Sequence, residues 1–186
     1  MRTEITLTII FLLGLILHFS GVTGGSLIIL IALSLLSLLY FPFAFYFFSD
    51  KSIKRQNLAL SIIAGLFLFV IPNGILFKLL HWPGGVQMLM VSIPSTLILL
   101  IVTFSLKTKA AEELKTYYKN LFMRTALLLI LGLFFYLIPS KTLIDIQHSD
   151  NPELARLKNN AYSNPDNEEY RDKLNHYMDS MIHAQK

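Results

Sequence analysis

The chain contains no cysteine among its 186 residues. Disulfide bonds and thiolate metal sites are therefore excluded, whereas the cellular compartment stays open because cysteine-free proteins occur in every compartment. Charged residues are scarce as well, at 15% of the chain against a hydrophobic share of 54%. Ordinary soluble domains are about 25% charged. The composition therefore predicts an integral membrane protein.

Five long apolar runs divide most of the chain. They lie at residues 5–19, 26–48, 58–80, 86–106 and 121–139. Most reach the about 20 residues that a helix needs to cross about 30 Å of hydrocarbon. The first run is also compatible with a signal peptide, but no small-x-small cleavage site follows and a second run begins at once. We therefore predict an all-α polytopic protein with five spans in residues 1–139 and a small helical tail at 140–186.

Lys and Arg are distributed unevenly between the connecting segments. The turns at 20–25 and 81–85 carry none, whereas the N-terminus and the other two connectors hold Arg2, Lys51, Lys54, Arg55, Lys107, Lys109, Lys115, Lys119 and Arg124. Because basic residues resist translocation, this pattern predicts a cytoplasmic N-terminus and an extracytoplasmic tail. The tail has six basic and eight acidic residues. The pI of about 9.3 thus reflects topology, and we expect no nucleic-acid partner.

A polar turn between the third and fourth runs is the strongest local signal. Lys78 is expected to lay its methylenes along the lipid and lift its ammonium to the headgroups, and Trp82 has the ring that favours the membrane interface. Pro83 and the glycines after it end the helix and reverse the chain. We take this interfacial turn as the candidate site, formed by Phe77, Lys78, His81, Trp82, Pro83 and Gly84.

The end of the first run repeats this turn in degenerate form. His18, Phe19 and Gly21 follow the same order as His81, Trp82 and Gly84, which is a histidine, an aromatic residue and then a glycine. The two glycine pairs, at 24–25 and 84–85, also correspond. We therefore predict two similar hairpins in the same orientation, followed by one further span.

The turn resembles a known membrane hairpin. A Phe-Lys-x-x-His-Trp-Pro-Gly word between two apolar runs is similar to the N-terminal hairpin of GldL, the inner-membrane subunit of the motor for gliding motility and type IX secretion. The resemblance covers roughly residues 58–106, with an echo in 5–48. It implies an outward-facing turn and, for that family, a ring of hairpins around helices of the partner GldM, with proton flow through an intramembrane acid. No Asp or Glu lies within any predicted span here, which favours a relative that shares the scaffold without the motor chemistry.

Only His18, Lys78 and His81 are predicted as ionisable residues at membrane depth. Two histidines on the outer face could bind a metal or relay protons. The simpler interpretation, which we favour, is that each imidazole hydrogen-bonds the backbone near its turn. No nucleophile elbow, His-Glu-x-x-His helix or phosphate loop is present. We expect no catalytic residue, metal or cofactor.

Three prolines, Pro42, Pro72 and Pro94, lie inside predicted spans and free backbone carbonyls there. The sequence around Pro72 could open a helix at a transport site, but kinks that only shape a bundle are more common. The favoured role is therefore a structural or assembly component of an envelope complex, with lipid, other envelope proteins or a second copy as partners. The alternative is a small transporter or carrier.

The charged segments predict further helices outside the membrane. Alternating charges at 108–120 indicate a surface helix between the fourth and fifth spans. In the tail, Asn151 and Asn164 each precede a proline, which predicts two short helices. Apolar positions on their facing sides indicate a helical hairpin, formed by Leu154, Leu157 and Ala161 against Tyr170, Leu174, Tyr177 and Met181.

Overall fold

The computed structural model describes residues 2–22, 24–41 and 56–184, and these form helices and short connections without a strand. The all-α prediction is confirmed. The helices of the described part are α1 Arg2–Phe19, α2 Gly25–Tyr40, α3 Leu58–Leu79, α4 Gly85–Lys109, α5 Glu112–Leu137, α6 Ser140–Gln147, α7 Pro152–Ser163 and α8 Glu168–Ala184.

Three of these helices, α3, α4 and α5, are long and apolar enough to cross a membrane. α1 and α2 are apolar but shorter. Residues 42–48 of the predicted second span, with Pro42, lie outside the described residues, as do Lys51, Lys54 and Arg55. Many apolar side chains on the outer surface of the long helices are exposed, including Ile98, Ile101, Leu127 and Ile130. A surface of this kind suits contact with hydrocarbon.

α3 lies at the centre of the helical bundle. It packs against α2, α4 and α5, and its residues Leu68, Ile71 and Ile75 are fully buried. The helix continues without a break through Pro72, so it does not open there. Asn73 Nδ2 instead donates to Ser37 Oγ at 2.6 Å and to the Phe69 carbonyl at 3.0 Å. The first bond ties α3 to α2, and the second is made to a backbone carbonyl within α3.

The prediction of a separate surface helix at 108–120 is wrong. Only a short break at residues 110–111 follows α4, and α5 then runs from Glu112 to Leu137 as one helix. The segment that joins the charged connector to the apolar run contains neither proline nor glycine before Gly132, so nothing there stops helix propagation. The charged residues form the first turns of α5, and the fifth predicted span follows in the same helix.

The tail holds three helices instead of the two that were predicted. α6 was not foreseen, and α8 begins at Glu168 rather than just after Asn164. Asn151 caps α7 as expected, since its Oδ1 accepts a hydrogen bond from Leu154 N at 3.0 Å. Asn164 instead closes the end of α7, where its backbone and side-chain nitrogens both donate to the Asn160 carbonyl. The later Asn167 accepts from Glu169 N and starts α8.

The predicted hairpin between the last two helices is confirmed. Tyr170, Leu174, Tyr177 and Met181 are half-buried, whereas the positions between them on α8 are exposed. Tyr177 donates from its hydroxyl to Asn151 Oδ1 at 3.2 Å. The apolar stripe of α8 therefore faces α7.

Candidate functional site at the turn end of the bundle

The turns after α1 and α3 have the same backbone construction, sixty positions apart. Gly24 and Gly84 both have positive φ, at 104° and 92°, and each precedes the returning helix. Gly21 and His81 are also left-handed, with φ of 71° and 56°. Matching hydrogen bonds close the turns, from Val22 N to the Leu17 carbonyl and from Trp82 N to the Phe77 carbonyl. The described hairpins are thus built alike.

This geometry corrects the register of the predicted repeat. His18 corresponds to Lys78 and not to His81, and Gly21 corresponds to His81 and not to Gly84. A Cβ on Gly85 would lie 2.6 Å from Lys78 N, and a Cβ on Gly25 would clash with the same backbone atom of His18. The glycine pairs set the register because helices cross too closely there for a side chain. The letter pattern His-aromatic-Gly led to an alignment displaced by three residues.

Lys78 lies inside the bundle, with only 2% of its surface exposed. The prediction that its ammonium reaches the lipid headgroups is therefore wrong. Its Nζ donates to the Tyr136 carbonyl at 3.1 Å, and it lies 6.0 Å from the centre of the Tyr136 ring. Because α5 ends at Leu137, that carbonyl belongs to the last turn, which has no helical N–H partner. Lys78 thus caps the negative end of α5.

His18 is buried at the end of α1. Its Nδ1 shares a hydrogen bond of 2.9 Å with Ser26 Oγ on the returning helix, and its ring packs edge-on against Phe19. This partner is a side-chain hydroxyl, and the backbone of Leu79 also acts on the ring. The bond links the two helices of the first hairpin.

His81 connects the second turn to the tail. Its Nε2 bonds Gln147 Oε1 at 2.9 Å, and its ring packs edge-on against Tyr162. The Nδ1 atom is buried without a hydrogen-bond partner among the described residues. Burial is the main cause that lowers the pKa of His81. The adjacent Trp82 is 42% exposed, which is compatible with its predicted interfacial position.

Two tail residues at this end, His148 and Lys158, were missed by sequence reasoning. Lys158 Nζ lies 2.9 Å from His148 Nε2, which requires a neutral imidazole as acceptor. Burial and then the Lys158 charge lower the pKa of His148 to about 4, and burial lowers the pKa of Lys158. No spacing pattern marks these residues. No group of three His, Cys, Asp or Glu suited to a metal occurs in the part of the chain that the structure describes.

A second polar cluster lies between α1, α2 and α5. Arg124 Nη2 lies 3.2 Å from Glu4 Oε2, and Tyr40 donates to Glu4 Oε1 at 3.0 Å. All three side chains are buried. Glu4 and Arg124 are thus ionisable residues inside the bundle that the sequence analysis did not single out. The sequence signal that could have indicated this cluster is Glu4 directly before the first apolar run, together with Arg124 near the start of the fifth apolar run.

No protein-family model, curated protein or solved structure matches this chain. The similarity to the GldL hairpin therefore rests on the residues of the turn. What the structure adds is how those residues are used, with Lys78 as a helix cap and His81 as a contact to the tail.

Proposed function

We propose that this chain is an integral inner-membrane component of a bacterial envelope complex, with a structural or assembly role. Five spans would place the N-terminus in the cytoplasm and the turns and tail outside, as the distribution of Lys and Arg predicts. The apolar outer surface of the long helices suits lipid and lateral contacts with membrane proteins.

The observation that carries the proposal is the attachment of the tail to the hairpin turns. α6 contacts both α1 and α3 and buries Leu143 and Ile144. The His81–Gln147 hydrogen bond fixes the same junction. A small tail of this length has too little core to be strongly stable by itself, and docking onto the turns supplies the missing contacts. The result is a defined surface beyond the apolar bundle, as expected of a docking platform.

The buried carboxylate supports a scaffold without motor chemistry. In GldL the resemblance implies an intramembrane acid that carries protons, whereas α4 here contains no Asp or Glu. Glu4 is on α1 and is bound by Arg124 and Tyr40. The ion pair and the hydrogen bond join α1 to α5 and to α2 through this carboxylate, which favours a structural role for it.

Purification from native membranes in mild detergent tests the proposal. A C-terminal affinity tag should recover the chain with one or a few membrane or envelope proteins in fixed stoichiometry, or as a defined homo-oligomer. A single-span protein with the same tag serves as the control for adventitious binding. Recovery of the chain as a monomer without a partner would contradict the proposal.

Transport is the alternative, and liposomes distinguish it. The purified chain should pass no protons above the rate of empty liposomes under an imposed pH gradient, with or without a membrane potential. A proton flux that Lys78→Met or His81→Ala abolishes would favour transport over the structural role.

A further inference from the structure

A cavity of about 710 Å³ lies between the second turn and the tail. Apolar side chains, among them Leu80, Val86, Ile144 and Leu174, form part of its wall. Its polar lining comes from His81, Gln87, Lys158, Tyr162 and Arg171, and none of the lining residues is acidic. A lysine, an arginine and a histidine thus line one cavity without a carboxylate.

Lys158 is one of the two basic residues with long side chains that line this cavity. It is half-buried, and its hydrogen bond goes to the neutral imidazole of His148. No carboxylate of the described residues lies within ion-pair distance of its ammonium; the nearby Asp145 bonds Asn159 at 2.7 Å instead. Removing water from an ammonium group without supplying a counter-ion costs free energy. A bound anion would remove this cost.

Arg171 adds a second cation at the outer edge of the same cavity. Its side chain is exposed, and Glu168 is 3.8 Å away on the same helix. An exposed ion pair at that distance contributes little to stability. The guanidinium of Arg171 is therefore able to bind another anion. The planar guanidinium fits two oxygens of a phosphate group at once.

His81 completes the polar lining. Because its Nε2 faces the Gln147 carbonyl oxygen, the neutral ring carries its lone pair on Nδ1, which is buried and lacks a partner among the described residues. Burial is the main cause that lowers the pKa of His81, and the charges of Lys158 and His18 lower it further.

We infer that the cavity between the second turn and the tail binds a phosphate-class anion through Lys158 and Arg171. The exposed Trp82 beside the turn and the apolar wall suit a phospholipid headgroup, and a free phosphate has the same recognition chemistry. The inference does not depend on the proposed envelope complex.

The test uses the full chain purified in mild detergent. One arm measures binding of inorganic phosphate by calorimetry, with chloride as the control anion. The other arm measures retention of phosphatidylglycerol against phosphatidylcholine by native mass spectrometry. Binding in the first arm identifies a free anion, and selective retention of phosphatidylglycerol identifies a headgroup. Both results support the site.

Variants then locate the binding. Arg171→Gln and Lys158→Gln should each weaken binding about tenfold or more, since a hydrogen bond to a charged group contributes about 1.5–3 kcal/mol. Lys173→Gln is the matched control, because Lys173 lies on the same helix but pairs with Glu169 away from the cavity. Arg171 is exposed, so its replacement should leave the fold intact by circular dichroism. Absence of binding in both arms, or equal weakening by Lys173→Gln, would overturn the inference.

Discussion

The ammonium of Lys78 donates a hydrogen bond to the backbone carbonyl of Tyr136 at 3.1 Å, across 58 positions of sequence. The contact joins the start of the second turn to the end of α5. It gives the most distinctive basic residue of the turn a role inside the bundle, as the positive charge at a helix C-terminus.

Replacing Lys78 tests this role. Lys78→Glu should lower the midpoint of thermal unfolding much more than Lys78→Met, because a carboxylate would face the carbonyl end of α5 while methionine only removes the donor. We expect the glutamate variant to lose about 2 kcal/mol or more. Lys141→Glu, at an exposed position of α6, is the matched control. Equal effects of Lys78→Glu and Lys78→Met would contradict the capping role.

The Glu4–Arg124 ion pair should be strongly coupled. Glu4→Gln or Arg124→Gln alone leaves a buried charge, and each should lower the free energy of unfolding by about 3–5 kcal/mol. The double variant should lose clearly less than the two single losses together. Chemical unfolding of the four proteins in detergent measures the coupling.

An exposed pair on α5 provides the reference for this cycle. Glu112 and Lys115 have side-chain exposures of 85% and 50%, so their coupling should stay at or below about 0.5 kcal/mol. Coupling of Glu4 with Arg124 that does not exceed this reference would show that the buried pair adds nothing specific.

Acid should loosen the tail. The pKa of His148 is held at about 4 in the folded chain by burial and by Lys158, against 6.5 for a free histidine. The unfolded state therefore takes up the proton first, and the stability of the tail should fall as the pH drops from about 6.5 to about 4. Amide hydrogen exchange of residues 140–184, corrected for the intrinsic rate, measures the loss.

His148→Gln keeps a hydrogen-bond acceptor without titrating in this range. We expect its exchange profile to depend less on pH than that of the parent chain. His176→Gln, on an exposed part of α8, should behave like the parent. A pH profile unchanged by His148→Gln would assign the effect to other groups.

The helical class, the two glycine turns and the Asn151 cap could be predicted from the sequence because they depend on local signals. Each of these features is determined by residues close to it in the chain, as in the turns at Gly24 and Gly84. The partners of Lys78 and Glu4 are not, since Tyr136 and Arg124 lie far along the chain. Whether a polar side chain at a helix end faces lipid or a neighbouring helix depends on packing, which one-dimensional patterns do not contain.

Single-cysteine labelling tests the predicted topology cleanly because the chain has no cysteine of its own. Cysteines at Val22 and Ser149, exposed in the first turn and the tail, should react with a membrane-impermeant maleimide in intact spheroplasts. A cysteine at Thr116, exposed near the start of α5, should react only after permeabilisation. Opposite behaviour of Val22 and Ser149 would contradict the contact between tail and turns.

Photo-crosslinking in intact native membranes tests the envelope-complex role most directly, since no detergent intervenes. A photoreactive amino acid replaces Met178, which is 40% exposed on the tail. We predict a light-dependent adduct with one membrane or envelope protein, or with a second copy, identified reproducibly by mass spectrometry. A second variant carries the photoreactive residue at the exposed Ile130. The envelope-complex role would be contradicted if both variants were recovered only as the 21.2 kDa chain without an adduct.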